Sequence, residues 1–452
     1  MSSPAVSQSD AVYEDRVNPQ WVKLLNILQL NVQYKRCEGI ELQTADGRVI
    51  LDFLSGYCVH NAGHNHPEII QAVRDELDRR GPAMLQSHVP ELAGELSRRL
   101  CTLAGANMAK AFFCSSGSEG VEAAIKFARA HTGRTGLLYY DGAFHGLTCG
   151  ALSMMGDNFR RDGFGPMLPD TTAVPFNNLE ALETQLKTKK YAALFIEPIQ
   201  AEAGIQIPAP GYLAAAHKLC KKYGTLLVSD EVQTGMYRTG TFLAGQQHGL
   251  APDMIVLAKA LSGGLIPVGA VLMPDAIYNS VYTSLKRSIV HTSTFSENSL
   301  SMRVGLATLD VLEKESLGPR ATESGIYLRR ELTHALSGFE MINEVRGAGL
   351  LSGIEFVAPS SLKLRLPFEA FRAIHPGMFG QVLVMRLFRD HDILTQMCGN
   401  NFLVLKAAPP LLATTAHLDK FVAALTDVVH RAHHDSGFWT EALGLARRAV
   451  NI

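Results

Sequence analysis

The stretch Ser229-Asp230-Glu231-Val232-Gln233-Thr234-Gly235, with Val256-Leu257-Ala258-Lys259-Ala260-Leu261-Ser262-Gly263-Gly264 after it, decides how this chain is read. Each is tied to a short apolar run, residues 225–229 and 254–257, with the length and composition of a buried strand. A carboxylate at the C-terminal end of a parallel strand faces the crevice where open α/β sheets bind ligands. Asp230 has that position, although a helix cap or a partner for Arg238 would explain it more plainly. Lys259 closes an apolar run, where a solvated lysine is out of place. A partly buried lysine has a lowered pKa, and its neutral amine is nucleophilic enough to form a Schiff base. The alternative is a surface lysine at a strand end.

Outward from this pair, residues 137–140, 192–196 and 268–272 also read as buried strands. Residues 179–187 and 212–223 between them carry helical patterns. Strands alternating with helices imply an α/β domain, a mostly parallel sheet covered on both faces. The flanks differ. Residues 39–44 and 48–53 are strand-like around the turn Asp46-Gly47, and a helix over 322–336 leads to a strand over 349–357. We read the two ends as one smaller α+β domain, with residues 1–60 its N-terminal part and 321–452 its C-terminal part, beside a large domain over 61–320. Residues 358–401, rich in Phe, Met, Leu and Arg around His375-Pro376-Gly377, form a partly helical insertion.

Composition narrows the function classes. At roughly 150 residues per domain, 452 residues fit two or three domains. Lys plus Arg number 42 and Asp plus Glu 43, which is no footprint of a broadly basic nucleic-acid binder. With 47% hydrophobic and 19% charged residues the chain is globular rather than disordered. Seven scattered cysteines, without CxxC or a Cys/His cluster, indicate neither a disulfide framework nor a zinc site. No apolar h-region follows the polar head, and the longest uncharged stretch, between Lys259 and Asp275, is broken by glycines and Pro267. The expectation is a cytoplasmic protein with no membrane partner.

Two further segments belong with Asp230 and Lys259. Cys114-Ser115-Ser116-Gly117-Ser118-Glu119 precedes a helix with Val121, Ala124, Ile125 and Ala128 on one face. Ser116 and Glu119 fit a capping box. A Gly/Ser loop at a helix start offers free N–H groups and a positive dipole end, which suits a phosphate. By itself it is usually only a cap. Tyr140-Asp141-Gly142-Ala143-Phe144-His145-Gly146 follows a strand and could supply a stacking platform, although a lone histidine is more often a core residue. Together, a strand-end lysine, a strand-end aspartate and a phosphate-binding helix start are what pyridoxal 5'-phosphate (PLP) needs. The lysine holds the aldehyde, the aspartate keeps the ring nitrogen protonated, and the helix start holds the phosphate.

On these segments the chain resembles the class III, ornithine aminotransferase-like family of PLP enzymes over about residues 30–450. Further matches are Gly63-His64-Asn65-His66-Pro67, Ile196-Glu197-Pro198-Ile199-Gln200-Ala201-Glu202, His291-Thr292-Ser293-Thr294-Phe295 and Val345-Arg346-Gly347-Ala348-Gly349. The resemblance implies the PLP-dependent transferase fold type I, like aspartate aminotransferase, and a homodimer with shared active sites. It implies that Lys259 bonds the cofactor and shuttles the proton, and that Asp230 pairs with the pyridinium. Gln233 touches the phenolic oxygen, Phe144 or His145 stacks on the ring, and Gly117 and Ser118 beside Ser116 bind the phosphate. Thr294 reaches the partner subunit's phosphate. Glu202 pairs with the substrate-carboxylate cation in one half-reaction and releases it in the other, and Tyr57 lines the substrate pocket.

Two departures bear on substrate. The family's arginine before Ala-Pro-Pro is Lys406 here, in Leu405-Lys406-Ala407-Ala408-Pro409-Pro410, which keeps the charge and loses the bidentate fork. Lys406 could receive the carboxylate less tightly, or face solvent while Arg365, Arg372, Arg386 or Arg389 serves. Tyr237 stands where the family has glycine. The aromatic and Met content of 358–401 suggests an apolar wall for a long or apolar amine, with ordinary core as the plainer reading. The implied activity is ping-pong transfer of an amino group from an amine or ω-amino acid to a keto acid. Decarboxylation, racemisation or an aminomutase shift could occur at the same site, and a non-catalytic protein on this fold is the alternative from another class.

Overall fold

A computed structural model describes residues 8–440, apart from Gln86, Ala106, His375 and Ser436. Fifteen strands are formed by these residues. The first three are β1 (Tyr34–Glu38), β2 (Glu41–Thr44) and β3 (Val49–Asp52). Seven more follow: β4 (Lys110–Cys114), β5 (Gly136–Tyr140), β6 (Thr171–Val174), β7 (Tyr191–Ile196), β8 (Leu226–Asp230), β9 (Met254–Leu257) and β10 (Gly269–Met273). The last five are β11 (Ile342–Ala348), β12 (Leu351–Phe356), β13 (Ile393–Leu394), β14 (Gln396–Cys398) and β15 (Asn401–Ala407).

Strands β4 to β10 make one seven-stranded sheet, ordered β4-β10-β9-β8-β7-β5-β6. Only β10 runs against its neighbours β4 and β9; the remaining pairs are parallel. The apolar runs of the sequence are these strands, buried on both faces as parallel sheets require. Alternate residues divide between two cores, because successive side chains of a strand point to opposite faces. Leu137, Tyr139, Ala193 and Phe195 pack on one face with Val121, Ala124 and Phe127 of the helix Gly117–Thr132. Leu138, Tyr140, Leu194 and Ile196 pack on the other with the helices Leu179–Leu186 and Tyr212–Tyr223.

The flanking parts form two four-stranded sheets, β1-β2-β3-β13 and β11-β12-β15-β14. The chain's two ends meet where β13 lies parallel to β3, with Ile393 opposite Leu51. Within 358–401 the helices Leu362–Ile374 and Met378–His391 supply Phe368, Phe371 and Phe379. These rings are buried in the core with Phe356 and Trp439. The expected apolar substrate wall is therefore corrected to ordinary core, since none of these rings lines the cavity described below. His375 of that segment lies outside the described residues. Among the described residues no helix is long and apolar enough to cross a membrane.

The helix Gly117–Thr132 approaches the sheet closely because Gly120 has no side chain. A Cβ there would lie 2.7 Å from Val256 Cγ1 of β9. Gly120→Ala should therefore destabilise the protein by about 1–3 kcal/mol, the usual cost of overpacking. Gly94 is an exposed helical glycine with open space around it. Gly94→Ala should stabilise by up to about 1 kcal/mol through helix propensity. Denaturant midpoints that move in opposite directions for the two variants would verify this.

Candidate active site

A cavity of about 450 Å³ opens at the C-terminal edge of the large sheet. Five strand ends feed it: Ser115–Ser118 after β4, Phe144 and His145 after β5, Glu197 after β7, Asp230 ending β8, and Lys259 just past β9. The sheet order alone brings these separated segments together.

Asp230 is 5% exposed. Its Oδ2 accepts from His145 Nδ1 at 2.8 Å, and its Oδ1 from the Val232 N–H at 3.1 Å. Arg238 is not its partner: that guanidinium bonds Asn61 and the Leu350 and Pro409 carbonyls. Burial pushes the His145 pKa down, but the hydrogen bond and charge of Asp230 outweigh it and hold it above the ordinary value. His145 Nε2 is buried with no hydrogen-bond partner. Glu197 accepts from the Phe144 N–H at 2.9 Å, and burial raises its carboxyl to about 7.

Lys259 begins a short 3-10 turn, Lys259–Ser262, with φ of +45°, a left-handed conformation costly for a side chain. Ser262 fixes this turn: its hydroxyl donates to the Lys259 carbonyl at 2.7 Å and accepts from the Gly264 N–H at 3.0 Å. Burial lowers the Lys259 pKa, opposed by the charges of Cys58, Glu202 and Asp230. The result favours the neutral, nucleophilic amine.

Ser116 caps the helix Gly117–Thr132, its hydroxyl accepting from the Glu119 N–H at 3.2 Å. Glu119 reaches the Ser115 N–H at 2.7 Å, one residue beyond the expected capping box. The Ser118 hydroxyl is already engaged by the N–H groups of Leu147 and Thr148, both at 3.1 Å. What this helix start leaves available to an anion is the backbone N–H groups of its first turn, which no helix satisfies internally. Gly117 keeps that turn near the strand-end loop, since a Cβ on it would meet Val232 Cγ2 at 2.9 Å.

Glu202, Lys406 and Tyr57 form a second group beside the cavity, linked to it by Gln233. Gln233 Nε2 donates to Glu202 Oε1 at 3.1 Å, and Gln233 Oε1 is buried without a partner. Lys406 is fully buried, so the solvent-facing reading is ruled out; its ammonium bonds Glu202 Oε1 and lies 5.2 Å from the Tyr57 ring centroid. Glu202 Oε2 accepts from the Gly399 N–H at 2.7 Å. Burial alone would raise the Glu202 pKa; Lys406 and Gly399 instead hold it down at about 2. Lys406 in turn is raised, because Glu202 overcomes its burial.

Thr294 is exposed and does not line this cavity within its own subunit. None of Arg365, Arg372, Arg386 and Arg389 lines it either. Arg372 faces Glu369, and Arg386 and Arg389 face Asp390. Tyr237 and its neighbour Met236 have φ of +67° and +55°, the backbone a glycine would adopt freely. Sequence reasoning left out Glu197, which the strand-end rule applied to Asp230 would have found. It also left out Arg160, whose guanidinium carbon lies 5.5 Å from the Phe144 ring centroid. No local signal marks Arg160.

A lysine with a lowered pKa, a buried carboxylate and a free helix start around one cavity fit PLP, and the unpartnered Gln233 oxygen leaves a polar atom for a ligand. Residues 26–429 match the model of the class-III aminotransferases. The chain belongs to that family. It has the fold type I architecture of PLP-dependent transferases. Among its relatives, aminotransferase PigE of Serratia sp. (strain ATCC 39006) is 36% identical over 447 residues. That match covers 92% of this chain and 52% of PigE, so the chain spans about half the length of that relative. The ornithine aminotransferase of Toxoplasma gondii superposes with a TM-score of 0.83 at 26% identity, covering 96% of this chain and 97% of the other. A PLP-bound amine transaminase from an uncultivated Pseudomonas species gives 0.77 at 27% identity, over 89% and 95%. In this class-III chain the partner of Glu202 is Lys406.

Removing Lys406 would strand a buried charge. Lys406→Met should cost about 3–5 kcal/mol at neutral pH, and adding Glu202→Gln should recover most of it. The depressed Glu202 pKa means that the pair's contribution is present above the unfolded carboxyl's pKa and lost as pH falls towards about 2. In Lys406→Met burial raises the Glu202 pKa instead, so the penalty should shrink as pH falls and the carboxyl takes up a proton. Denaturant unfolding of the wild type and these two variants at two pH values measures this.

Proposed function

We propose that the protein is a PLP-dependent aminotransferase that moves an amino group from an amine or ω-amino acid to a keto acid by a ping-pong mechanism. The observation that carries this is the convergence of Lys259, Asp230 and the helix start at Gly117 on one cavity, in a class-III chain. PLP when bound supplies a carbonyl that condenses with amines and a ring that withdraws electrons from the bond being broken.

The chain's own residues have distinct tasks in this reading. Lys259 Nζ would hold the cofactor and, when free of it, would serve as the base that moves the proton of the substrate carbon. Asp230 holds the proton on the ring nitrogen. His145 holds Asp230 through its Nδ1–H, which leaves Phe144 as the stacking face. The N–H groups of Gly117 and Ser118, in the loop capped by Ser116, bind the phosphate. Gln233 reaches the phenolic oxygen from its place on Glu202. Glu202, Lys406 and Tyr57 form the substrate side. Their ion pair presents a closed, internally neutral wall to a carboxylate-free amine.

The working unit in this reading is a homodimer. Thr294 is exposed, and the same stretch of chain also exposes Leu285, Ile289 and Phe295, apolar groups suited to a second copy. We place the protein in the cytoplasm, a reading supported by its seven free cysteines.

Borohydride reduction of the holoenzyme followed by peptide mapping should label Lys259, and Lys259→Ala should bind PLP without attachment and lose turnover. A label on another lysine, or carbonyl product formed over many turnovers without consumption of a keto acid, would overturn the proposal. Hybrids of Lys259→Ala subunits with subunits substituted around Thr294 should regain part of the activity. Hybrids that form and stay inactive would argue against shared sites.

A further inference from the structure

We propose that Arg160 receives the carboxylate of the keto-acid substrate while Lys406 stays on Glu202; this rests on the aminotransferase reading. Lys406 is poorly placed for the task. It is fully buried, its ammonium is bonded to Glu202, and the Tyr57 ring covers it. To meet a second carboxylate it would have to leave Glu202 charged and unpaired in the interior. The Gly399 and Gln233 donors that remain on Glu202 are neutral.

Arg160 reaches the same backbone turn as Glu202, and from the same side. A Cβ on Gly399 would lie 2.7 Å from Arg160 Nη2 and 2.9 Å from Glu202 Oε2. The guanidinium is held without being used up. Nη1 donates to Asp157 at 3.0 Å and to Asn400 Oδ1, and Nη2 to the Gly399 carbonyl at 3.2 Å. Asn400 is itself tied to the Gly142 carbonyl at 2.9 Å and, through its N–H, to the Glu202 carbonyl at 2.8 Å. A guanidinium has five N–H donors. The Nε–H and one Nη2–H of Arg160 therefore have no acceptor among the described residues. Nε and Nη2 share one edge of the planar group, an edge able to take a carboxylate in bidentate fashion.

Position and exposure agree. The Arg160 side chain is 24% exposed, so an incoming anion can reach it. Its guanidinium carbon stacks 5.5 Å from the centroid of Phe144, which lines the cavity. The four arginines of the 358–401 segment line no part of that cavity; Arg160 does not line it either, but its guanidinium sits against the Phe144 ring that does. The fork lost at position 406 is thus available from a different loop, with the Glu202–Lys406 pair left closed in both half-reactions. The acceptor class this fits is a small 2-keto acid with its carboxylate on the Phe144 side.

The test compares pyruvate with propanal, acceptors that differ by the carboxylate, in holoenzyme carrying Arg160→Gln or Arg160→Lys. The pyruvate-over-propanal ratio of kcat/KM should fall about tenfold or more in Arg160→Gln, carried by KM for pyruvate, with Arg160→Lys in between. The dissociation constant of propionate, an unreactive carboxylate, should weaken in the same order by calorimetry. Arg160→Gln keeps a donor for Asn400 and Gly399, and Arg160→Lys keeps the charge, which separates a local folding defect from loss of the fork. An unchanged ratio and unchanged propionate binding in Arg160→Gln would overturn the assignment. If the wild type transfers to neither acceptor, the aminotransferase reading fails, and propionate binding alone decides the role of Arg160.

Discussion

A carboxylate buried at the end of a strand needs a partner, and the Asp230–His145 hydrogen bond is the interaction on which this site depends. Asp230 ends β8 and His145 follows β5, with β7 between them in the sheet. The bond therefore exists only because the parallel order sets those strand ends side by side. It fixes the carboxylate's direction and ties His145 to it, in a cavity lined by both His145 and the neighbouring Phe144. Glu197, on the intervening strand's end, ties the same loop through the Phe144 N–H.

A second buried charge system, Glu202 with Lys406, sits beside the first without merging into it. Desolvation of either ion alone would cost several kcal/mol, and the close pairing with the added Gly399 and Gln233 donors offsets it. Lys259 lies between the two systems and feels the charges of Asp230, Glu202 and Lys406 together. Its burial dominates, which leaves the amine closer to neutrality than a surface lysine. An ion pair this enclosed is a poor receptor for a third charge, which is why the accessible fork of Arg160 matters to substrate choice.

The parts legible in the sequence are those set by local rules. The strands around Asp230 and Lys259 are short apolar runs bounded by turn residues, and a strand-end carboxylate or lysine can be recognised without knowing its neighbours. Ser116 was legible as a cap for the same reason. What failed to show were contacts between distant segments. Nothing local shows that His145 meets Asp230, since that partner is 85 residues away. Arg160 meets the Gly399–Asn400 turn across some 240 residues and carries no motif. The aromatics of 358–401 read as a wall or a core equally well, because composition does not say which way Phe368, Phe371 and Phe379 point. Their burial against Phe356 and Trp439 resolved it.

The most direct measurement of the central claim is a pair of single-turnover experiments on the holoenzyme. An amine added without any acceptor should bleach the cofactor's visible band in one stoichiometric step, releasing one equivalent of carbonyl product. A keto acid added after the amine is removed should restore the band and release one equivalent of amino acid. A band that recovers without a keto acid, or a first step that liberates carbon dioxide in place of a carbonyl product, would contradict transfer by two half-reactions at Lys259.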